Sequence, residues 1–181
     1  MPDFTHRLAR PDDLDPLREV MRRSIESLQD DFLTPEQVAA SHKVMGLDAQ
    51  LVLDGTYFIV ESEDRIAGCG GWSWRSTLYG GDESVVAREP RALDAATEPA
   101  RIRAMYTHPD HARRGIGRLV LSLCEAAAAH EGFRMLELVA TVAGEPLYTA
   151  CGYALVERIE VPTSRGVFVP CARMRKAIAP A

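Results

Sequence analysis

Apolar residues recur at intervals of three and four near the start of the chain: Leu14, Leu17, Met21, Ile25 and Leu28. This periodicity predicts a helix with one buried stripe, and the proline and aspartates at 11–13 supply its start signal. Thr34, followed by Pro35 and by Gln37 three residues on, predicts the capped start of a second helix. We expect that helix to end near Gly46.

Short apolar runs bounded by turn residues predict the strands. They fall at residues 4–9, 57–61, 65–73, 101–107, 136–139, 153–161 and 167–174. Glycines inside the 65–73 run weaken the prediction for that strand. A turn through Pro162, Ser164 and Gly166 joins the last two strands into a hairpin.

The strongest helical pattern of the sequence covers residues 116–131 and ends at Gly132. A shorter helix is predicted over 146–150, closed by Gly152. Residues 76–99 hold two glycines and several acidic residues, and they predict a long loop with one helical turn near 90–95. Long ordered loops in compact domains are often lids or binding loops, so this one is either a substrate lid or a solvated insertion.

Composition limits the class of protein. The chain has 181 residues, is 46% hydrophobic and carries a net charge of -5, which fits one domain over 1–181 and no nucleic-acid partner. Neither a signal peptide nor an apolar run of the ~20 residues that span a membrane is visible, so we expect a cytoplasmic protein. The scattered cysteines predict reduced thiols, and no metal site is expected. They are Cys69, Cys124, Cys151 and Cys171, of which Cys151 lies closest to the site proposed below.

The chemically informative segment runs from Ile102 to Arg118, where a strand and a loop lead into a helix that begins with Gly115 and Gly117. The first amides of a helix have no partner within it, and glycine lets a phosphate approach the backbone closely. Arginines crowd this segment in an otherwise acidic chain: Arg101, Arg103, Arg113, Arg114 and Arg118. The pattern predicts a cradle for a diphosphate group.

Two common nucleotide motifs fit this segment poorly. A P-loop needs Gly-Lys-Ser/Thr at its end, which is absent. The dinucleotide fingerprint needs a third glycine where Val120 stands, and a tighter strand-to-helix turn. Glu137 lies at about the spacing of that fingerprint's acidic residue, but it alternates with apolar neighbours like an ordinary strand residue.

Three short motifs, in this order and spacing, resemble the GNAT N-acetyltransferase superfamily. They are Thr107-His108-Pro109, Gly115-Ile116-Gly117, and Tyr148 followed by Gly152-Tyr153. The resemblance covers most of the chain, beginning with the segment 10–14. It implies an α/β (α+β) GNAT fold: a central mixed, mostly antiparallel sheet of six to seven strands, splayed at the acetyl-CoA site and flanked by about four helices. It also makes a homodimer plausible.

The same resemblance implies roles for individual residues. Backbone groups of Met105, Tyr106 and Thr107 would pair with the pantetheine arm of acetyl-CoA, and Tyr148 would be the general acid beside its sulfur. The diphosphate would be held by the turn that comprises Arg113, Arg114, Gly115, Ile116, Gly117 and Arg118. Ala112 stands where the family has glutamine or arginine, and an asparagine common before the tyrosine segment is missing around Val142.

The general base and the amine are less evident. The strand before the glycine loop carries no carboxylate, so a water relay is preferred over a single base. The candidate bases are His108, Glu137, Asp82 and Glu83. The acidic loop, with Asp82 and Glu83, would attract a cationic amine, and Trp72, Trp74 and Tyr79 would wall the pocket unless the tryptophans are core residues.

The sequence therefore predicts an acetyl-CoA-dependent N-acetyltransferase that acts on a primary amine of a small molecule or peptide. Two other classes remain open at this stage. One is a non-catalytic acyl-CoA-binding regulatory module, and the other is a nucleotide- or dinucleotide-binding protein.

Overall fold

One mixed sheet forms the centre of the molecule in the computed structural model, which describes residues 4–86, 91–163 and 166–179. Its strands are β1 (Thr5–Leu8), β2 (Tyr57–Ser62), β3 (Arg65–Ser73), β4 (Ala100–Thr107), β5 (Met135–Thr141), β6 (Ala154–Pro162) and β7 (Phe168–Ala177). The helices are α1 (Leu14–Leu28), α2 (Pro35–Val44), α3 (Ala49–Leu53), α4 (Ile116–His130) and α5 (Glu145–Ala150).

The described strands lie in the order β1-β2-β3-β4-β5-β7-β6. Every neighbouring pair is antiparallel except β4 and β5, which run parallel. The sheet is open, with helices against both faces, and the GNAT fold expected from the sequence is confirmed.

The predicted stripe of α1 packs against the sheet. Leu17, Met21 and Ile25 are buried there, each at most 2% exposed. At the start of α2, Thr34 Oγ1 accepts from the amide of Gln37, and the Gln37 side chain accepts from the Thr34 amide. This reciprocal capping box satisfies two otherwise unpaired donors, which is why the helix begins there.

Helix α4 covers the other face, and the glycines of β3 make this packing possible. A Cβ on Gly70 would lie 2.8 Å from Val120 on α4 and 2.3 Å from the Met105 sulfur on β4. Since neither distance is tolerated, only glycine lets the helix and the strand approach so closely. The glycines that weakened the strand prediction are therefore a packing feature of this strand.

Two local expectations differ from the structure. The sequence analysis did not predict α3, a helix of five residues that begins at an Asp48 cap. The helical turn expected near 90–95 does not form over the described residues 91–95. There Ala92 instead bridges to Arg75, and the amide of Leu93 donates to the Trp74 carbonyl at 2.7 Å. Residues 87–90 of the predicted 76–99 loop, which include the first position of that helical turn, and residues 164–165 of the predicted hairpin turn lie outside the described part of the chain.

No helix among the described residues is long and apolar enough to cross a membrane.

Candidate active site

A cleft opens where two neighbouring strands separate. β4 and β5 pair at only two positions, Ala100 with Leu136 and Arg101 with Glu137. Beyond Arg101 the strands diverge, and residues of both line a cavity of about 920 Å³. The α1–α2 turn, the start of α4, α5 and the segment 78–81 complete the walls. The splay predicted for the sheet thus opens this cavity between β4 and β5.

Strand β4 is bulged beside this cleft. Ala104 has a φ of +50°, in the left-handed region, and the register against β3 shifts between Cys69 and Gly71. The Tyr57 hydroxyl donates to the Ala104 carbonyl at 2.6 Å and holds the bulge in place. A strained backbone beside a cleft is a common mark of a functional site. Alanine gives no sequence signal for such a bulge, so the sequence analysis missed it.

The glycine turn lies on the cleft, as predicted, but its two glycines differ. Gly115 has a φ of +84°, and a Cβ built on it would meet no protein atom within 4 Å. A Cβ on Gly117 would lie 2.8 Å from Leu147 Cδ2. The space beside the backbone is therefore open at Gly115, whereas at Gly117 it is occupied by the Leu147 side chain of α5.

Of the five arginines in the predicted cationic patch, only Arg113 and Arg118 lie beside the glycine turn and face the cleft with no protein partner described. Arg114 lies against the Phe4 ring at 5.3 Å and within 2.9 Å of His111 Nδ1, outside the cleft lining. Arg101 pairs with Glu137, and Arg103 pairs with Asp48 at 2.9 Å. The patch is thus smaller than the sequence indicates.

Tyr148 lines the same cleft from α5 and is 8% exposed. Burial raises the pKa of its phenol above the ordinary value, so the hydroxyl is protonated at neutral pH. No protein hydrogen bond of this hydroxyl is found among the described residues. The ring packs edge-on against Tyr153, with 5.9 Å between centroids. Its position and protonation both suit a proton donor.

The carboxylate and histidine proposed as bases lie outside the cleft lining. Glu137 has no exposed surface and accepts from three arginine side chains: Arg101, Arg173 and Arg175. Burial alone would raise its pKa, but these arginines outweigh burial and hold the pKa below its ordinary value. His108 Nε2 lies 2.9 Å from the Arg23 guanidinium, and burial together with that charge lowers the pKa of His108.

The residues predicted to wall the substrate pocket separate into two groups. Tyr79 lines the cleft, whereas Trp72 is 3% exposed and packs edge-on against Trp74 and Phe133, and none of these three lines the cleft.

Asp82 and Glu83 also lie away from the cleft. Asp82 accepts from the amide of Ala49, and Glu83 pairs with Lys43 at 2.9 Å. Both line a separate, smaller cavity between α1 and α2. Asp82 and Glu83 are therefore engaged with α3 and α2 rather than with the cleft.

Several features of the cleft were not predicted, because no local motif marks them. The buried pair Arg103–Asp48 holds the 76–99 loop against the cleft, since Arg103 also donates to the carbonyls of Thr77 and Gly80. The turn after α1 adds Gln29, Asp31 and Phe32.

The remaining chemistry of the site concerns a cysteine thiol and metal ligands. Cys171 lines the cleft as a free thiol, but burial raises its pKa to about 12, so it is protonated and unreactive at neutral pH. Among the described residues no group of three or more His, Cys, Asp or Glu side chains could hold a metal ion.

An open mixed sheet that splits beside a glycine-led helix defines an acyltransferase fold. A model of the Acetyltransferase (GNAT) family matches residues 23–153, well over half of the chain, and the protein belongs to this family. Comparison with curated protein sequences gives no match.

Solved structures resemble the chain along its whole length. A GCN5-related N-acetyltransferase from Rhodopseudomonas palustris has a TM-score of 0.71 at 20% identity, covering 96% of this chain and 95% of that one. The PaiA N-acetyltransferase from Thermoplasma acidophilum, in complex with coenzyme A, has a TM-score of 0.66 at 13% identity, covering 97% and 99%. An N-acetyltransferase from Staphylococcus aureus Mu50 has a TM-score of 0.64 at 12% identity, covering 97% and 98%. At these identities the likeness concerns the fold.

Proposed function

We propose that this protein transfers the acetyl group of acetyl-CoA to a primary amine of a small molecule or peptide, with Tyr148 as the general acid. One observation carries the proposal: both the open glycine turn of α4 and Tyr148 line a single cleft. A diphosphate site and a proton donor are the two parts that acyl transfer from coenzyme A requires in one cavity.

The residues at the α4 end fit the coenzyme. The first amides of a helix of fifteen residues have no partner within the helix, and the open space at Gly115 leaves them accessible. Arg113 and Arg118 add positive charge for a diphosphate. Met105, Tyr106 and Thr107 lie on the edge of β4 that no longer pairs with β5, so their backbone groups can hydrogen-bond the pantetheine arm.

Tyr148 supplies the proton for the leaving group. The amine nitrogen bonds to the acetyl carbonyl carbon, the carbon–sulfur bond breaks, and the Tyr148 hydroxyl gives its proton to the departing sulfur. Because a thiol with pKa ~8.5 is a far stronger acid than this buried phenol, the proton is not lost outright. The Tyr148 hydroxyl shares it with the sulfur through a hydrogen bond as negative charge develops there, and a phenolate formed in the step takes a proton back from water. We place the donor to the developing oxyanion on the main chain near Met105, where the Ala104 bulge faces the cleft.

We assign the removal of the amine proton to water rather than to one side chain. An amine of pKa ~10.4 is mostly protonated at neutral pH, so a proton must leave before attack. Glu137 lies within its arginine cluster, and His108 is packed against Arg23 outside the cleft lining. Ser24 and Ser27 of α1 line the cleft and can hydrogen-bond such a water.

The experiment is an amine-panel assay of acetyl-CoA-dependent thiol release. We expect Tyr148→Phe to lower kcat by about 100-fold, the lower range for general acid catalysis, since a thiolate leaves easily. Acetyl-CoA should still raise the melting temperature of this variant. Tyr153→Phe is the matched control, because it removes a neighbouring hydroxyl outside the cleft lining and should keep wild-type kcat.

Unchanged turnover in Tyr148→Phe would contradict the role assigned to the phenol. Binding of acetyl-CoA without thiol release for any amine would favour the alternative function, a non-catalytic acyl-CoA-binding module. A rise in melting temperature with NAD or ATP, and none with acetyl-CoA, would contradict both the acetyltransferase and the acyl-CoA-binding module. A cytoplasmic location and a homodimer stay predictions.

A further inference from the structure

Charge is unevenly distributed along the cleft. Its charged lining residues, within the part of the chain that the structure describes, are Asp31, Asp48, Arg103, Arg113 and Arg118. Asp48 and Arg103 form a buried pair with each other. Asp31 has no ion pair among residues 4–86, 91–163 and 166–179, and neither do Arg113 and Arg118. The α4 side of the cleft is therefore cationic, and the α1 side is anionic.

Asp31 lies beside an exposed aromatic ring. It belongs to the turn between α1 and α2, and the next residue, Phe32, is 51% exposed although it lines the cleft. A carboxylate and an exposed phenyl ring on adjacent residues of the cleft suit an alkylammonium group, which gains from both the charge and the ring. Leu28, Val44, Met45 and Val161 add apolar surface to the cleft, beside the hydroxyl groups of Ser24 and Ser27.

Gln29, in the same turn, provides an independent observation. It lines the cleft and is 6% exposed, and its Nε2 donates to the Met45 sulfur at 3.1 Å. Its Oε1 is buried and accepts no hydrogen bond in the described part of the chain. Because a buried carbonyl without a donor is unfavourable, this oxygen would gain a hydrogen bond if the Gln29 amide turned toward an N–H group of a ligand in the cleft.

We infer that the amine substrate is dicationic in solution: one amine accepts the acetyl group, and a second remains protonated at the rim against Asp31 and Phe32. This inference rests on the proposed function. The acceptor amine must lose its proton to react, whereas a group at Asp31 is bound through its charge. A substrate with two amines on an apolar spacer meets both requirements, and the Gln29 carbonyl accepts one of its N–H groups.

The test compares α,ω-diaminoalkanes of about three to eight carbons with n-alkylamines of the same length, at low salt. The wild-type kcat/KM for the best diamine should exceed that of its matched monoamine by about fivefold, the size of one exposed charge contact with a cation–π contribution. Asp31→Asn should remove the preference. Asp30→Asn is the matched control, because it makes the same charge change at the adjacent residue, which is outside the cleft lining.

Rising salt concentration should reduce the preference of the wild type for the diamine. It should have no effect on the ratio of kcat/KM between diamine and monoamine in Asp31→Asn. Equal kcat/KM for diamines and monoamines in the wild type, or the same ratio in the two aspartate variants, would overturn the dication assignment while leaving acetyl transfer intact. Failure of the proposed function looks different: no amine supports thiol release, and acetyl-CoA does not raise the melting temperature.

Discussion

The buried carboxylate of Glu137 lies at the last pair of residues that joins β4 to β5, and its removal is the most informative stability test. The removal eliminates its ion pairs with Arg101, Arg173 and Arg175. Glu137→Gln keeps the volume but leaves the arginine charges facing one another. Breaking a buried ion cluster by losing one partner typically costs about 3–5 kcal/mol.

The lower figure applies here, because Arg173 and Arg175 are 30% and 39% exposed and water compensates part of their charge. We therefore expect a loss of about 3 kcal/mol, and a fall in melting temperature of about 6–12 °C for a domain of this size. Urea unfolding followed by circular dichroism measures the change, with the m-value unaltered. Glu157→Gln is the control: Glu157 pairs with Arg173 at 2.8 Å but is 52% exposed, so its loss should cost less than about 1 kcal/mol.

The same cluster predicts a pH dependence. Since the pKa of Glu137 is lowered in the folded protein, its contribution is present above the ordinary carboxylate pKa, ~4.3, and is lost as pH falls through the lowered value. Wild-type protein should lose stability across this acidic range more steeply than Glu137→Gln. Equal urea-unfolding midpoints for the wild type, Glu137→Gln and Glu157→Gln at neutral pH would refute the assignment of Glu137 as a structural anion.

Two other variants separate ligand contacts from packing. Gly115→Ala should lower the free energy of unfolding by about 1–2 kcal/mol, because the residue has a positive φ. The added methyl group should also raise the KM for acetyl-CoA about tenfold, measured by thiol release at a fixed amine concentration. A lower stability with an unchanged KM would contradict a contact between Gly115 and the coenzyme. Trp72→Phe should destabilise the fold by about 1–3 kcal/mol in urea unfolding, since Trp72 packs on Phe133 in the core. A raised KM for the amine in this variant would instead indicate that Trp72 contacts the substrate.

Patterns within short windows predicted most elements of the fold correctly. The stripe of α1, the Thr34–Gln37 capping box and the glycine that ends α4 all act between residues close in sequence, so their spacing is sufficient. The five-residue α3 has no such periodicity and was missed. The motif around Gly115 and the tyrosine at 148 indicated the family, and the structure places both on one cleft.

The sequence by itself determined the elements and the glycine turn, because each depends on neighbours along the chain, and its resemblance to the GNAT superfamily indicated the candidate proton donor. Tertiary structure alone decided which charges remain available in the cleft. Arg103 meets Asp48, 55 residues away, and Arg101 meets Glu137, 36 residues away, so neither neutralisation has a local signal. Burial of Trp72 and exposure of Asp31 were likewise decided by which elements pack on which, since a side chain's partner in space depends on the whole fold.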